Sequence, residues 1–144
     1  MDAKLFPGTL ESLAGIADYV LAAAAHSGLD KRATYRLRLA VDEVATNIVA
    51  HGYVEAGLSG HIQVVATTHS DRLQVILEDT AIPYNPLTQA TPDNLDTPIA
   101  ERPLGGLGVF LTIQGCDRFA YEYHDGHNRN IFEMNLPTPT EPTP

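Results

Sequence analysis

The chain has 144 residues, 44% hydrophobic and 19% charged, which is enough for one globular domain with a buried core. Its formal net charge of -9, from 18 acidic against 9 basic side chains, argues against nucleic acid or an anionic membrane as a partner. A single cysteine excludes an internal disulfide, and no apolar run is long enough to span a bilayer, so we expect a cytoplasmic protein.

A short strand and a first amphipathic helix are predicted at the beginning of the chain. Residues 4–7 are typical of an extended entry. A helix then opens near Thr9 and closes at Gly28, because polar residues that start helices come first and a glycine follows the last apolar position. Its apolar residues recur at helical spacing: Leu10, Leu13, Ile16, Ala17, Val20, Leu21 and Ala24.

A second amphipathic helix is predicted to begin near Asp30 or Thr34. It runs down to Ala50, and Gly52 is its expected end. One apolar stripe marks the face that packs on the core: Leu37, Val41, Val44 and Ile48.

After Gly60 the hydrophobic period changes from 3.6 to 2, which indicates strands. Two alternating runs, 62–66 and 73–77, flank a polar turn and predict an antiparallel hairpin. The segment 80–104 has no sustained period and contains five prolines, so we interpret it as a functional lid loop.

The last part of the chain predicts a short helix and a second hairpin. Residues 108–114 are typical of the helix, and Asp125-Gly126 is a strong turn signal between two further strands. Residues 137–144 alternate Pro with Thr, so we expect a disordered tail after a single domain, 1–136. Strands that arrive as hairpins, with three amphipathic helices, predict an α+β two-layer sandwich whose mixed, mostly antiparallel sheet is covered on one face.

Two polar side chains on the second helix are the first candidates for a functional site. Glu43 and Asn47 are four residues apart, so they project from the same side of the helix, at the border of the apolar stripe. A carboxylate and a carboxamide so placed can hold a hydrated divalent cation. A solvated helix face is the simpler interpretation of this pair taken alone.

A glycine turn lies well downstream, at Gly105-Gly106-Leu107-Gly108 before the third predicted helix. It offers bare backbone N–H groups and a helix N-terminus to an anion such as phosphate. It is neither a dinucleotide fingerprint nor a P-loop, because no strand precedes it and no Gly-Lys-Ser/Thr follows. Arg102, just before it, can reach a phosphate, although a solvated arginine is the commoner use.

Taken together, these segments resemble a known superfamily. The run 42–53, the acidic strand end at Asp79 and the glycine turn 105–108 are similar to the N, G1 and G2 boxes of the GHKL (Bergerat) ATP-binding fold of gyrase, histidine kinases and MutL. Within it, Val-Asp-Glu-Val-Ala-Thr-Asn and Gly-Gly-Leu-Gly-Val-Phe-Leu look most like RsbW-type anti-sigma factor serine/threonine kinases. The resemblance extends from Leu5 to Leu136.

The resemblance implies the cofactors ATP and Mg²⁺ and a role for each matching residue. Glu43 would be the catalytic base, Asn47 the metal ligand, and Asp79 the acceptor for the amino group of adenine. The implied nucleotide contacts are Asn47, Asp79, Ala81, Pro83, Arg102, Gly105, Gly106, Leu107, Gly108 and Val109.

The G1 box departs from the family pattern Asp-x-Gly-x-Gly, since Ala81 and Pro83 replace its glycines. Alanine resists a positive φ, and proline lacks a backbone donor, so we expect the adenine end of the site to be built differently. Asp79 also has a plain alternative use as a turn aspartate at the end of a strand.

The function that the resemblance implies is partner switching. The protein would phosphorylate a STAS-domain antagonist, and a sigma factor or another regulator would compete for the same kinase, which is expected to be a homodimer. The alternative is a nucleotide-binding docking adaptor without kinase activity, suggested by the missing glycines. A detached histidine-kinase catalytic domain is disfavoured, because no histidine-bearing helix pair precedes the N box.

Overall fold

The fold was analysed in a computed structural model that describes residues 1–89 and 112–137. The elements follow in the order β1 (Lys4–Pro7), α1 (Ser12–Ser27), α2 (Lys31–Asn47), a π-helical segment (Ile48–Val54), β2 (His61–Thr68), β3 (Arg72–Asp79), α3 (Pro86–Gln89), β4 (Arg118–His124) and β5 (His127–Asn135). The five strands form one sheet in the order β1-β2-β3-β5-β4, and every neighbouring pair among them is antiparallel.

Both predicted hairpins are confirmed. Strands β2 and β3 pair with Val64 opposite Leu77, so that every second residue of each strand is buried. Strands β4 and β5 are joined at Asp125 and Gly126, which have φ values of 51° and 79°. Two positive φ angles in a two-residue turn match the twist of the flanking strands, which explains the strength of the Asp-Gly signal.

Both predicted long helices are also confirmed. Gly28 ends α1 with φ 82°, and its N–H donates to the carbonyls of Ala24 and Ala25. Asp30 begins α2, since its Oδ1 accepts a hydrogen bond of 2.8 Å from the N–H of Ala33. The side chains of the predicted stripe of α2 are all buried: Leu37, Val41, Val44 and Ile48.

The predicted end of the second helix is wrong. The chain does not leave the helix at Gly52 but continues from α2 into the π-helical segment Ile48–Val54. Gly52 is buried inside that segment instead of closing it in a left-handed conformation. Its lack of a side chain serves close packing, because a Cβ at this position would lie 2.8 Å from the Cβ of Ala81.

The core lies between the sheet and helices α1 and α2, which cover one face of it. Inward residues of β2, β3 and β5 form a single apolar cluster with the helices, including Ile16, Val41, Val64, Leu77 and Phe132. This is the α+β two-layer arrangement predicted from the sequence. The third predicted helix is described only from residue 112, and its buried Ile113 joins the same cluster.

Among the described residues, no helix is both long and apolar enough to cross a membrane.

Candidate functional site

Glu43 and Asn47 lie on the last turn of α2 and are joined by a hydrogen bond. The side-chain nitrogen of Asn47 donates to the backbone carbonyl of Glu43 at 2.9 Å. Asn47 is only 7% exposed, whereas Glu43 is half-buried. Because the bond uses the nitrogen, the Oδ1 of Asn47 points away from the helix backbone. An amide oxygen in that orientation is a suitable hard ligand for Mg²⁺.

The change from α- to π-helix comes directly after Asn47. One extra residue per turn shifts the direction of the following side chains, and such segments occur frequently at functional sites. Here the shift presents Gly52 to the loop that follows β3, where it meets Ala81. The contact brings the end of β3 and the end of the long helix together.

Asp79 is the last residue of β3 and is almost completely buried, at 2% exposure. Its Oδ1 accepts hydrogen bonds from the N–H of Ala81 at 3.0 Å and from the Nδ2 of Asn128 at 2.9 Å. Its Oδ2 is buried as well but has no hydrogen-bond partner within the described part of the chain. A buried acceptor without a donor is costly, so a donor from a ligand is the expected partner.

The pKa of Asp79 is raised from its ordinary value, and burial is the largest cause. The hydrogen bonds from Asn128 and Ala81 act in the opposite direction, because they stabilise the ionised carboxylate. An exocyclic amino group, as on adenine, would supply the donor that Oδ2 lacks.

The loop after Asp79 does not need the glycines that the family pattern has. Asp125 has the only positive φ among the described non-glycine residues, so Ala81 adopts an ordinary conformation. The expected resistance of alanine to a positive φ is therefore irrelevant at this position. Its methyl group packs against Gly52, and the side chain is buried.

Tyr84 connects this loop to the catalytic candidate on α2. The pKa of its phenol is raised, first by burial and second by the negative charge of Glu43. The contact between Gly52 and Ala81 joins the helical segment that follows Asn47 to the loop that follows Asp79, whereas Pro83 is exposed in that loop.

The remaining predicted nucleotide contacts lie outside the described residues: Arg102, Gly105, Gly106, Leu107, Gly108 and Val109. Most of the predicted lid, residues 90–104, also lies outside them. Of the segment 80–104, the structure describes 80–89, which contains the short helix α3.

The sequence matches one protein family over residues 6–135, the family described as histidine kinase-like ATPase domain. The match includes both long helices, strands β2 to β5 and the second half of β1. The chain belongs to this family.

Relatives of this histidine kinase-like ATPase domain include serine-protein kinases RsbW from bacilli. The chain is 32% identical to the one from Bacillus mycoides (strain KBAB4) over 93 residues, which cover 62% of this chain and 57% of the relative. It is 28% identical to the one from Bacillus cereus (strain AH187) over the same length. The chain thus matches little more than half of the length of these relatives.

A solved structure shares the fold. The histidine kinase domain of the Erythrobacter litoralis EL346 blue-light activated histidine kinase aligns with a TM-score of 0.50 and 19% sequence identity. The alignment covers 84% of this chain and 61% of that domain. At this identity the likeness supports the architecture of the ATPase domain and nothing more specific.

Three buried polar side chains were not singled out from the sequence: Tyr53, Asn128 and Asn130. Tyr53 is buried, accepts a hydrogen bond from the N–H of Thr80 at 3.0 Å and donates to the carbonyl of His61 at 2.7 Å. It therefore ties the π-helical segment to the ends of β2 and β3. Asn128 and Asn130 face the core from β5, and the Oδ1 of Asn130 is a second buried acceptor without a described partner.

The sequence contains a signal for these two asparagines, because inward and outward residues alternate along β5. Both occupy inward positions of a strand whose next inward residues are Phe132 and Met134. Polar residues at inward positions are rarely buried without a purpose. The inward position of these asparagines indicates a function only when that face of β5 is known to be buried.

Proposed function

We propose that this protein binds Mg·ATP at the end of α2 and phosphorylates a serine or threonine of a STAS-domain antagonist. The observation that carries the proposal is the buried carboxylate of Asp79, whose Oδ1 is hydrogen-bonded while Oδ2 lacks a donor. Asp79 occupies an inward position of β3, on the sheet face that packs against α1 and α2, and α2 carries Glu43 and Asn47. The similarity to serine-protein kinases RsbW supports the choice of acceptor.

Each residue of the site has a distinct task in this proposal. Asp79 accepts a hydrogen bond from the amino group of adenine, and Asn47 offers its Oδ1 to the metal. When bound, ATP would supply the phosphoryl group and Mg²⁺ would neutralise the charge that develops during its transfer. Glu43 accepts the proton of the attacking hydroxyl group, which makes the hydroxyl oxygen a better nucleophile.

Partner switching extends the proposal to regulation. A kinase that holds a sigma factor or another regulator would release it on binding the antagonist, and phosphorylation of the antagonist would reverse the exchange. This part rests on the sequence resemblance. A homodimer and a cytoplasmic location belong to the same proposal.

Transfer of ³²P from ATP to a purified STAS-domain protein encoded beside this chain tests the kinase. We expect transfer by the wild type and a loss of roughly 10²- to 10⁴-fold for Glu43→Gln, which is the usual contribution of a general base. ATP binding should be retained, because the amide keeps the size of the side chain. Glu55→Gln is the matched control, since Glu55 is exposed directly after the π-helical segment and pairs with His51.

Two results would contradict the kinase assignment. Nucleotide binding without transfer by the wild type would favour a docking adaptor, the alternative that the altered G1 box suggests. Equal transfer by wild type and Glu43→Gln would remove Glu43 from the chemistry.

A further inference from the structure

Asn128 uses both ends of its side-chain amide to hold the loop that follows β3. Its Nδ2 donates to the Oδ1 of Asp79 at 2.9 Å, to the carbonyl of Ala81 at 3.2 Å and to that of Ile82 at 3.1 Å. Its Oδ1 accepts from the N–H of Tyr84 at 3.2 Å and from the phenol of Tyr121. The residue is 2% exposed, so solvent does not replace these bonds.

The position of Asn128 follows from the register of the sheet. Strands β3 and β5 pair with Asp79 directly opposite Asn128, and both side chains face the covered side of the sheet. The amide therefore meets the carboxylate from the neighbouring strand, independently of the loop conformation.

The bond to Oδ1 determines what Asp79 can offer to a ligand. With Oδ1 already an acceptor for two donors, the buried Oδ2 remains as the acceptor that has no partner among the described residues. An ionised carboxylate accepts hydrogen bonds only and is repelled by a carbonyl oxygen, whereas a protonated one can donate to it. The amide of Asn128 favours the ionised form. The other charged groups near Asp79 are His127, which also favours ionisation, and Glu78, which opposes it.

We propose that Asn128 is a positioning residue that commits one oxygen of Asp79 to the ligand and so sets the preference for a 6-amino purine over a 6-oxo purine. The proposal rests on nucleotide binding at Asp79, as argued under Proposed function. Asn128 itself touches the loop and Asp79, not the base.

Calorimetric titration of the full chain with ATP and with ITP tests this role. ITP carries an oxo group where ATP carries the amino group, so the ratio of the two dissociation constants reports the discrimination. For Asn128→Ala we expect the ratio to fall by about tenfold or more, as when a charge-assisted hydrogen bond loses its fixed geometry. Asn128→Ser keeps one donor, so its ratio should lie between those of the wild type and Asn128→Ala. It replaces the alanine variant in the test if that variant does not fold.

Tyr121→Phe is the matched control. It removes the phenol that bonds to the Oδ1 of Asn128 but leaves the Nδ2 contacts, so the ATP/ITP ratio should stay within about twofold of the wild type. Equal weakening of ATP and ITP by folded Asn128→Ala or Asn128→Ser, with an unchanged ratio, would overturn the proposal and reduce Asn128 to a structural residue. Failure of the wild type to bind either nucleotide would instead defeat the proposed function, and this inference with it.

Discussion

At the scale of single residues, the candidate site contains a buried carboxylate that is incompletely paired among the described residues. Burial of a carboxylate is unfavourable unless hydrogen bonds compensate for the lost water. Asp79 has two such bonds on one oxygen and none on the other among the described residues. The unpaired Oδ2 lowers the stability of the folded protein, and a ligand that donates a hydrogen bond to it would offset this loss.

The pH dependence of stability gives a test of Asp79. Its folded-state pKa is raised above the ordinary value of 3.8, so the folded state binds the proton more firmly than the unfolded state. The contribution to the free energy of unfolding is therefore fully present below pH 3.8 and is lost as the pH rises through the folded pKa. Asp79→Asn should remove this decline.

Urea denaturation between pH 3 and pH 7 measures the effect as a shift of the unfolding midpoint with pH. The exposed Glu122→Gln variant controls for a general change of charge. A decline of equal slope in wild type and Asp79→Asn would show that Asp79 is not the group responsible. Asp79→Asn should also lose ATP binding, because the amide offers a donor or a weaker acceptor to the adenine amine.

At the scale of elements, the decisive feature is the passage from α2 into the π-helical segment. Helical periodicity predicted the start and apolar stripe of α2, because these depend on local spacing and on Asp30 as a cap. It did not predict the continuation past Gly52, since the glycine packs against Ala81, which is distant in sequence. The role of Tyr53 could not be predicted either, because its hydrogen-bond partners lie at the ends of two other elements, β2 and β3.

Exchange of one methyl group between the two elements tests that contact. Gly52→Ala places a Cβ 2.8 Å from that of Ala81, so we expect a loss of about 1–3 kcal/mol in the free energy of unfolding, as for an overpacked core, and weaker ATP binding. The double variant Gly52→Ala with Ala81→Gly moves the methyl group from residue 81 to residue 52. It should recover at least half of the lost free energy of unfolding.

A double-mutant cycle on thermal or urea unfolding gives the coupling between the two positions. Strict additivity of the two substitutions would contradict a direct contact. Ala81→Gly alone should have a smaller effect, since it removes only one methyl from a buried position.

At the scale of the whole molecule, the architecture was predictable and part of the site was not. The change of hydrophobic period and the Asp-Gly turn indicated two antiparallel hairpins, and amphipathic helices indicated the layer above them. The same periodicities placed Glu43 and Asn47 on the second helix and Asp79 at the end of a strand, where the structure has them. Asn128 remained hidden, because which residue of β5 faces Asp79 is a matter of strand register.

The most direct test of the whole account is a crystal structure of the protein with Mg²⁺ and a non-hydrolysable ATP analogue. We expect the amino group of adenine within hydrogen-bond distance of the Oδ2 of Asp79, and the metal bound by the Oδ1 of Asn47. A nucleotide that binds elsewhere, or whose base turns its amino group away from Asp79, would contradict the proposed site.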